Sequence, residues 1–137
     1  MKNMERVLSS RVLLIFVGLS GAMVVVLGAY GAHTLKGTLE SGLLITFQKG
    51  LNYQVTHTLA IFGVAASLLH YPLSYWLKFS AAAFCLGIIL FSGSLYAIVF
   101  AGVNSMGLMT PLGGLAFIVG WLSLAWAAYW ELPLFCE

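Results

Sequence analysis

Residues 79–130 read FSAAAFCLGIILFSGSLYAIVFAGVNSMGLMTPLGGLAFIVGWLSLAWAAYW, without one charged residue. A helix needs about 20 apolar residues to cross the hydrocarbon of a bilayer, so this stretch has room for two crossings. It is interrupted once, between Gly102 and Gly107, by Asn104 and Ser105. In hydrocarbon, backbone amides must bond within a helix or around a closed barrel. No ten-residue polar–apolar alternation runs through the stretch, so two helices are expected, over about 79–101 and 108–130.

Upstream, residues 12–32 form a third apolar run, and residues 53–69 a fourth that is more polar at its start, with Tyr53, Gln54 and His57. The expected fold is therefore an all-α membrane protein, a four-transmembrane-helix antiparallel bundle forming a single domain over residues 1–137. Pro72 disfavours helix at the residue before it and marks the second connection. The longest connection is 33–52. Within it Leu43, Leu44, Phe47 and Leu51 share one helical face, while Gln48, Lys49 and Asn52 lie elsewhere. That pattern predicts a short interfacial amphipathic segment between helices 1 and 2, running into the second span.

Composition agrees with this placement. Of the 137 residues 61% are hydrophobic and 7% charged, against roughly 25% charged in soluble domains. The charged residues are Lys2, Glu5, Arg6, Arg11, Lys36, Glu40, Lys49, Lys78, Glu131 and Glu137, all at the ends of apolar runs. There is no basic stripe and the net charge is only +2, so no nucleic-acid partner is expected. Membrane lipids are the expected surroundings, with a larger membrane complex or a homo-oligomer as protein partners. Lys2, Arg6 and Arg11 precede 12–32, but that run exceeds the ~7–15 residues of a cleaved signal and reads as a retained signal-anchor.

Lysine and arginine counts set orientation. With four spans, the N-terminus, second connection and C-terminus share a side and carry Lys2, Arg6, Arg11 and Lys78; the other side carries Lys36 and Lys49. Both termini are expected in the cytoplasm. Tyr71, Tyr75 and Trp76 would share an aromatic belt with Trp126, Tyr129 and Trp130.

The same topology brings polar and small residues to one depth, on the side away from the termini. They are His33 at the end of the first run, Tyr53, Gln54 and His57 on the second, Ser92, Ser94 and Tyr96 on the third, and Thr110 on the fourth. Gly28, Gly31, Gly93, Gly113 and Gly114 are read as helix-packing positions, where small residues let backbones approach. Gly93, between two serines, is expected at a close contact. An ionisable group at membrane depth tends to face the bundle interior. His57 is thus expected to point inward, neutral, and bonded to Ser92, Ser94, Tyr96, Thr110 or the end of the first helix. Cys85 and Cys136 lie far apart along helical depth and have no ligand spacing; both read as small hydrophobes.

No catalytic residues are assigned. The chain has no aspartate, hence no Ser-His-Asp set, and no His-Glu-x-x-His, P-loop or dinucleotide fingerprint. No metal and no cofactor are expected, since His33 and His57 lack a nearby carboxylate and lie too near the bundle surface for haem. An enzyme is not expected.

Four motifs occur in order: Gly28-Ala-Tyr-Gly-Ala-His33-Thr-Leu-Lys36, Tyr53-Gln54-Val-Thr-His57-Thr-Leu-Ala60, Leu90-Phe-Ser-Gly-Ser-Leu-Tyr96 and Thr110-Pro-Leu-Gly-Gly114 with Gly120-Trp121. Together they resemble the domain of unknown function 423 family, also called uncharacterised protein family 0382, to which transmembrane protein 256 of animals is similar. The resemblance covers about residues 10–130. It implies four spans in a bacterial inner membrane and implies no activity. Members often carry a basic C-terminal tail, whereas here residues 131–137 contain neither lysine nor arginine. The function expected from the residues is a structural, accessory or assembly role in a larger membrane complex. The alternatives are a binding module for a lipid, quinone or other small amphiphile at the end of the bundle containing His33 and His57, or an oligomeric transporter or channel.

Overall fold

Apolar runs that must satisfy their own amides fold as helices, and all regular structure among the described residues is helical. The computed structural model describes residues 2–132, with side chains described from residue 10 onward. Cys136 and Glu137 lie outside the described residues.

The first helix runs Lys2–Tyr30, continues through a π turn at Gly31–Leu35 and ends in the turn Lys36–Thr38. Leu39 and Glu40 are extended (ψ near 146° and 145°) and form the whole break before the second helix, Ser41–His70. The third helix comprises Tyr75–Gly87, a π turn at Ile88–Ser92, and Gly93–Ala101. The fourth, Met109–Trp130, is entered through one 3-10 turn at Asn104–Leu108. Three of these four are long and apolar enough to cross a membrane: Ser10–Thr38, Tyr75–Ala101 and Asn104–Trp130. The second helix is not among them, because Gln48, Lys49, Asn52, Gln54 and His57 dilute its apolar residues.

The helix ends follow from local chemistry. Ser74 caps the third helix by accepting the Leu77 amide at 3.1 Å, a bond that satisfies one otherwise free amide. Gly102 ends the same helix at φ 65°, a conformation that only glycine adopts without steric penalty. Its amide turns back to the Ile98 carbonyl at 3.2 Å.

Residues 33–52 differ from the expectation. No separate interfacial segment exists among the described residues: 33–38 prolong the first helix and 41–52 are the opening turns of the second. The amphipathic pattern itself is real, with Phe47 buried, Leu43, Leu44 and Leu51 half-buried, and Gln48, Lys49 and Asn52 exposed. Its apolar face stays in helical phase with Gln54, Thr58 and Ile61 downstream, so nothing interrupts the helix at 53.

Packing rests on glycine opposite phenylalanine. A methyl group on Gly120 would lie 2.6 Å from the Phe84 ring, one on Gly87 would strike Phe117, and one on Gly113 would strike the backbone of Phe91. The pairs 84–120, 87–117 and 91–113 run in reverse order along the third and fourth helices. The first and second helices interlock the same way: Gly31 lies against Phe47, where an added carbon would be 2.5 Å from the ring, and an added carbon on Gly28 would be 3.7 Å from Leu51. The main core joins Ile61, Val64 and Leu68 of the second helix to Leu77, Ala81, Phe84 and Ile88 of the third and Phe117 and Ala127 of the fourth. At the end opposite to Gly113, Ser74 bonds the Glu131 carboxylate, and Trp76 meets Trp126 with ring centres 6.1 Å apart.

Gly93 corrects the expectation of close approach. It is exposed, with nothing within 4 Å of an added carbon, because the π turn just before it swings that position out toward the gap beside the first helix. An added carbon on Gly114 would make only an ordinary contact, 3.9 Å from Phe91. Overpacking a core typically costs about 1–3 kcal/mol. Gly113→Ala is therefore expected to lower the melting temperature of the detergent-solubilised protein, and Gly93→Ala to leave it unchanged. Thermal scanning by size-exclusion chromatography reads both; equal melting temperatures would contradict the assignment.

Candidate functional site

The structure divides the expected polar cluster into three and leaves His33 outside all of them, exposed in the π turn of the first helix. The largest centre is built on Gln54, which has no exposed surface. Its amide nitrogen lies 3.1 Å from Ser20 Oγ and 3.4 Å from the Ser20 carbonyl oxygen. A carbonyl can only accept, so the nitrogen must face Ser20 and Oε1 must face away. Tyr96 Oη donates to that Oε1 at 2.7 Å. Ser20 Oγ is in turn 2.7 Å from Thr58 Oγ1. Next to this chain, Ser92 donates to the Gly50 carbonyl at 2.7 Å. Gly50 permits the contact: an added carbon there would be 3.1 Å from Tyr96 and 3.3 Å from Leu95. The first, second and third helices are thereby tied by one continuous set of bonds.

His57 belongs to a second centre. Its ring stacks on Phe117 with centres 3.5 Å apart and planes at 10°, and packs against Phe84 and Tyr53. Trp121 Nε1 donates to Nε2 at 3.2 Å, and Nδ1 is 2.7 Å from the Tyr53 carbonyl. Indole nitrogen is a donor only, so Nε2 must be unprotonated; the carbonyl is an acceptor only, so Nδ1 must carry the hydrogen. The ring is held as one neutral tautomer with both nitrogens engaged. Its partner is Trp121, not Ser92, Ser94, Tyr96, Thr110 or the end of the first helix. Those groups already serve other bonds, while the indole is one turn beyond Phe117 on the face that stacks over the imidazole.

The third centre is small. Thr110 and Ser94 are 2.8 Å apart, and Ser94 donates to the Phe91 carbonyl at 2.9 Å, so Thr110 supplies the shared hydrogen. Away from all three, Ser80 donates to the Gly120 carbonyl at 2.8 Å. The sequence reading missed Ser20, Thr58 and Trp121. Ser20 and Thr58 interrupt apolar runs at internal positions, which was a usable signal. Trp121 stands near other aromatics and looks like an interface anchor until its donor is seen.

Beside the first centre, a groove of about 430 Å³ opens between the first and third helices, with Gln54, Ser92 and Tyr96 in its floor. Neither His33 nor His57 lines it. Among the described residues, no three His, Cys, Asp or Glu side chains gather as a metal site would require.

An all-helical chain with apolar, membrane-length helices and internally paired polar groups is a helical membrane protein. The family described as "Protein of unknown function (DUF423)" matches residues 27–114. The UPF0382 inner membrane protein YgdD of Escherichia coli K12 is 41% identical over 114 residues, covering 83% of this chain and 86% of that protein. A UPF0382 membrane protein of Haemophilus influenzae is 42% identical over 116 residues, 85% of this chain and 92% of its own length. The UPF0382 membrane protein SAB0533 of Staphylococcus aureus is 37% identical over 123 residues, covering 87% and 96%. The chain belongs to this DUF423/UPF0382 family of membrane proteins, for whose members no specific function is established. No solved structure matches it.

Removing one partner of a buried bond leaves the other unpaired, at about 1–3 kcal/mol. Trp121→Phe keeps the ring packing and strips the donor from His57, so it is expected to destabilise the protein by about 1 kcal/mol, between the ~0.6 kcal/mol average and the ~1.7 kcal/mol maximum found for bonds between membrane helices. Imidazole ¹⁵N spectra of the parent should show hydrogen on Nδ1; hydrogen on Nε2 would contradict the assignment.

Proposed function

We propose that this protein is a four-span, up-and-down antiparallel bundle with both termini in the cytoplasm, and that it acts as a structural or accessory component of a larger membrane assembly. The observation that carries the functional part is the engagement of His57. An imidazole with one nitrogen held by Trp121 and the other by the Tyr53 carbonyl has no free lone pair or hydrogen for a ligand, and functions as a lock between helices. Gln54 is used the same way. The polar centre thus gives a small bundle a defined shape, which suits a part that must fit against other subunits.

Several features support the topology. Contacts run in reverse order between the first and second helices, as in Ser20–Thr58 and Gly31–Phe47, and between the third and fourth, as in Phe84–Gly120 and Phe91–Gly113. The second helix is read as a span because Gln54, His57 and Thr58, the polar groups that lower its hydropathy at mid-length, are buried against the other helices. The bond from Ser74 to Glu131 puts the second connection beside the end of the fourth helix. That side carries Lys2, Arg6, Arg11 and Lys78, and positively charged connections favour the cytoplasm.

Single cysteines at Tyr75 and Asn104, placed in a chain lacking Cys85 and Cys136, are expected to react with an impermeant maleimide from opposite faces of the membrane. Labelling from one face would end the four-span reading. For the functional part, the tagged protein purified in a mild detergent is expected to bring down one membrane protein in fixed stoichiometry. Recovery of the bundle alone, across detergents that preserve known complexes, would count against an accessory role.

A further inference from the structure

We propose that the groove between the first and third helices binds one acyl chain of an anionic phospholipid whose phosphate rests on Lys78. The groove is walled by Phe16, Leu19 and Met23 of the first helix and Ile88, Ile89 and Gly93 of the third, and encloses about 430 Å³. Small-molecule sites occupy about 300–1,000 Å³. The polar groups in its floor are spent: Tyr96 gives its hydrogen to Gln54, Gln54 gives its hydrogens to Ser20, and Ser92 bonds Gly50. An occupant that needs hydrogen bonds, such as a quinone ring, finds no donor there, whereas a hydrocarbon chain needs none.

The third helix also supplies a path from the groove to the membrane surface. Lys78, Ala82, Cys85 and Ile89 follow one another at helical spacing and share one face. Ala82 is exposed and Cys85 half-buried, so small side chains leave a shallow track below Ile89. At 1.5 Å per residue, residue 78 lies roughly 16 Å from residue 89 along the axis, close to half of the ~30 Å hydrocarbon thickness. That is the reach of one leaflet's chain. At the foot of the track the Lys78 side chain is exposed. A phosphate therefore meets a cation, and the chain attached to it meets a dry groove at the depth where chains end. The depth of Lys78 rests on the four-span reading, under which it faces the cytoplasmic leaflet, where anionic lipids collect.

The test is native mass spectrometry of the full-length protein after exposure to dioleoyl phosphatidylglycerol or dioleoyl phosphatidylcholine. A lysine at a membrane surface contributes about 1 kcal/mol toward anionic lipid, so the parent should retain dioleoyl phosphatidylglycerol about fivefold better than dioleoyl phosphatidylcholine. Lys78→Gln should equalise the two lipids. Gly93→Leu, which projects into the groove, should lose both, and Gly18→Leu, on an open face of the first helix, should change neither. If Gly93→Leu melts below the parent in lipid-free detergent, Ile89→Trp replaces it as the groove-filling variant. Dioctanoyl phosphatidylglycerol should be retained poorly. Equal retention of the two long-chain lipids by the parent, or strong retention of the short-chain lipid, would overturn the proposal, as would undiminished binding in the groove-filled variant. Failure of the four-span reading itself is seen separately, in the labelling of positions 75 and 104.

Discussion

A polar side chain in hydrocarbon must find its partner within the protein, because the solvent offers none. Under the four-span reading, the second helix is where this constraint presses hardest. It carries Gln54, His57 and Thr58 at its middle, and a lone helix of that composition would leave donors and acceptors facing lipid at a cost of several kcal/mol each. The remaining helices are arranged so that it does not. The first helix brings Ser20 to Gln54 and Thr58, the third brings Tyr96 to Gln54, and the fourth brings Trp121 to His57. Each neighbour is held to the second helix by a bond that the second helix itself requires.

Those bonds are short-range, so the backbones have to come close, and the glycines allow it. Gly50 admits Ser92 and the Tyr96 ring, and Gly120 admits both Phe84 and the Ser80 hydroxyl. The aromatic rings that fill the space opposite each glycine also wall in the imidazole: Phe84 and Phe117 lie in glycine pockets on one side and against His57 on the other. Packing and polar pairing are one arrangement here. The π turn at Ile88–Ser92 lies where these demands meet, with Ser92 turned to the second helix and Phe91 to Gly113 of the fourth.

Much of this was legible in the chain, and the reasons differ by residue. The apolar runs announced helices because length and absence of charge leave few alternatives. The depth shared by Gln54, Ser92 and Tyr96 followed from span boundaries alone. Partner identity did not follow, since it depends on rotation about each helix axis, which span boundaries leave open; hence Trp121 was overlooked and Gly93 was assigned to the wrong face. The limits of the second helix were misjudged for a related reason. Lys49 and Asn52 look like connection residues, yet one exposed face is enough to carry them while Phe47 and Gly50 stay buried. Family membership adds a firm placement among membrane proteins and leaves the chemistry to be read from the side chains.

Gln54 is the shared node that ties the first, second and third helices together. A double-mutant cycle between Gln54→Leu and Tyr96→Phe, measured by reversible unfolding in mixed micelles, tests it most directly. The two costs are expected not to be additive, with a coupling of about 1 kcal/mol, between the ~0.6 kcal/mol average and the ~1.7 kcal/mol maximum known for bonds between membrane helices. Additive costs, with no coupling beyond experimental error, would mean that the Tyr96–Gln54 bond does not hold these helices together.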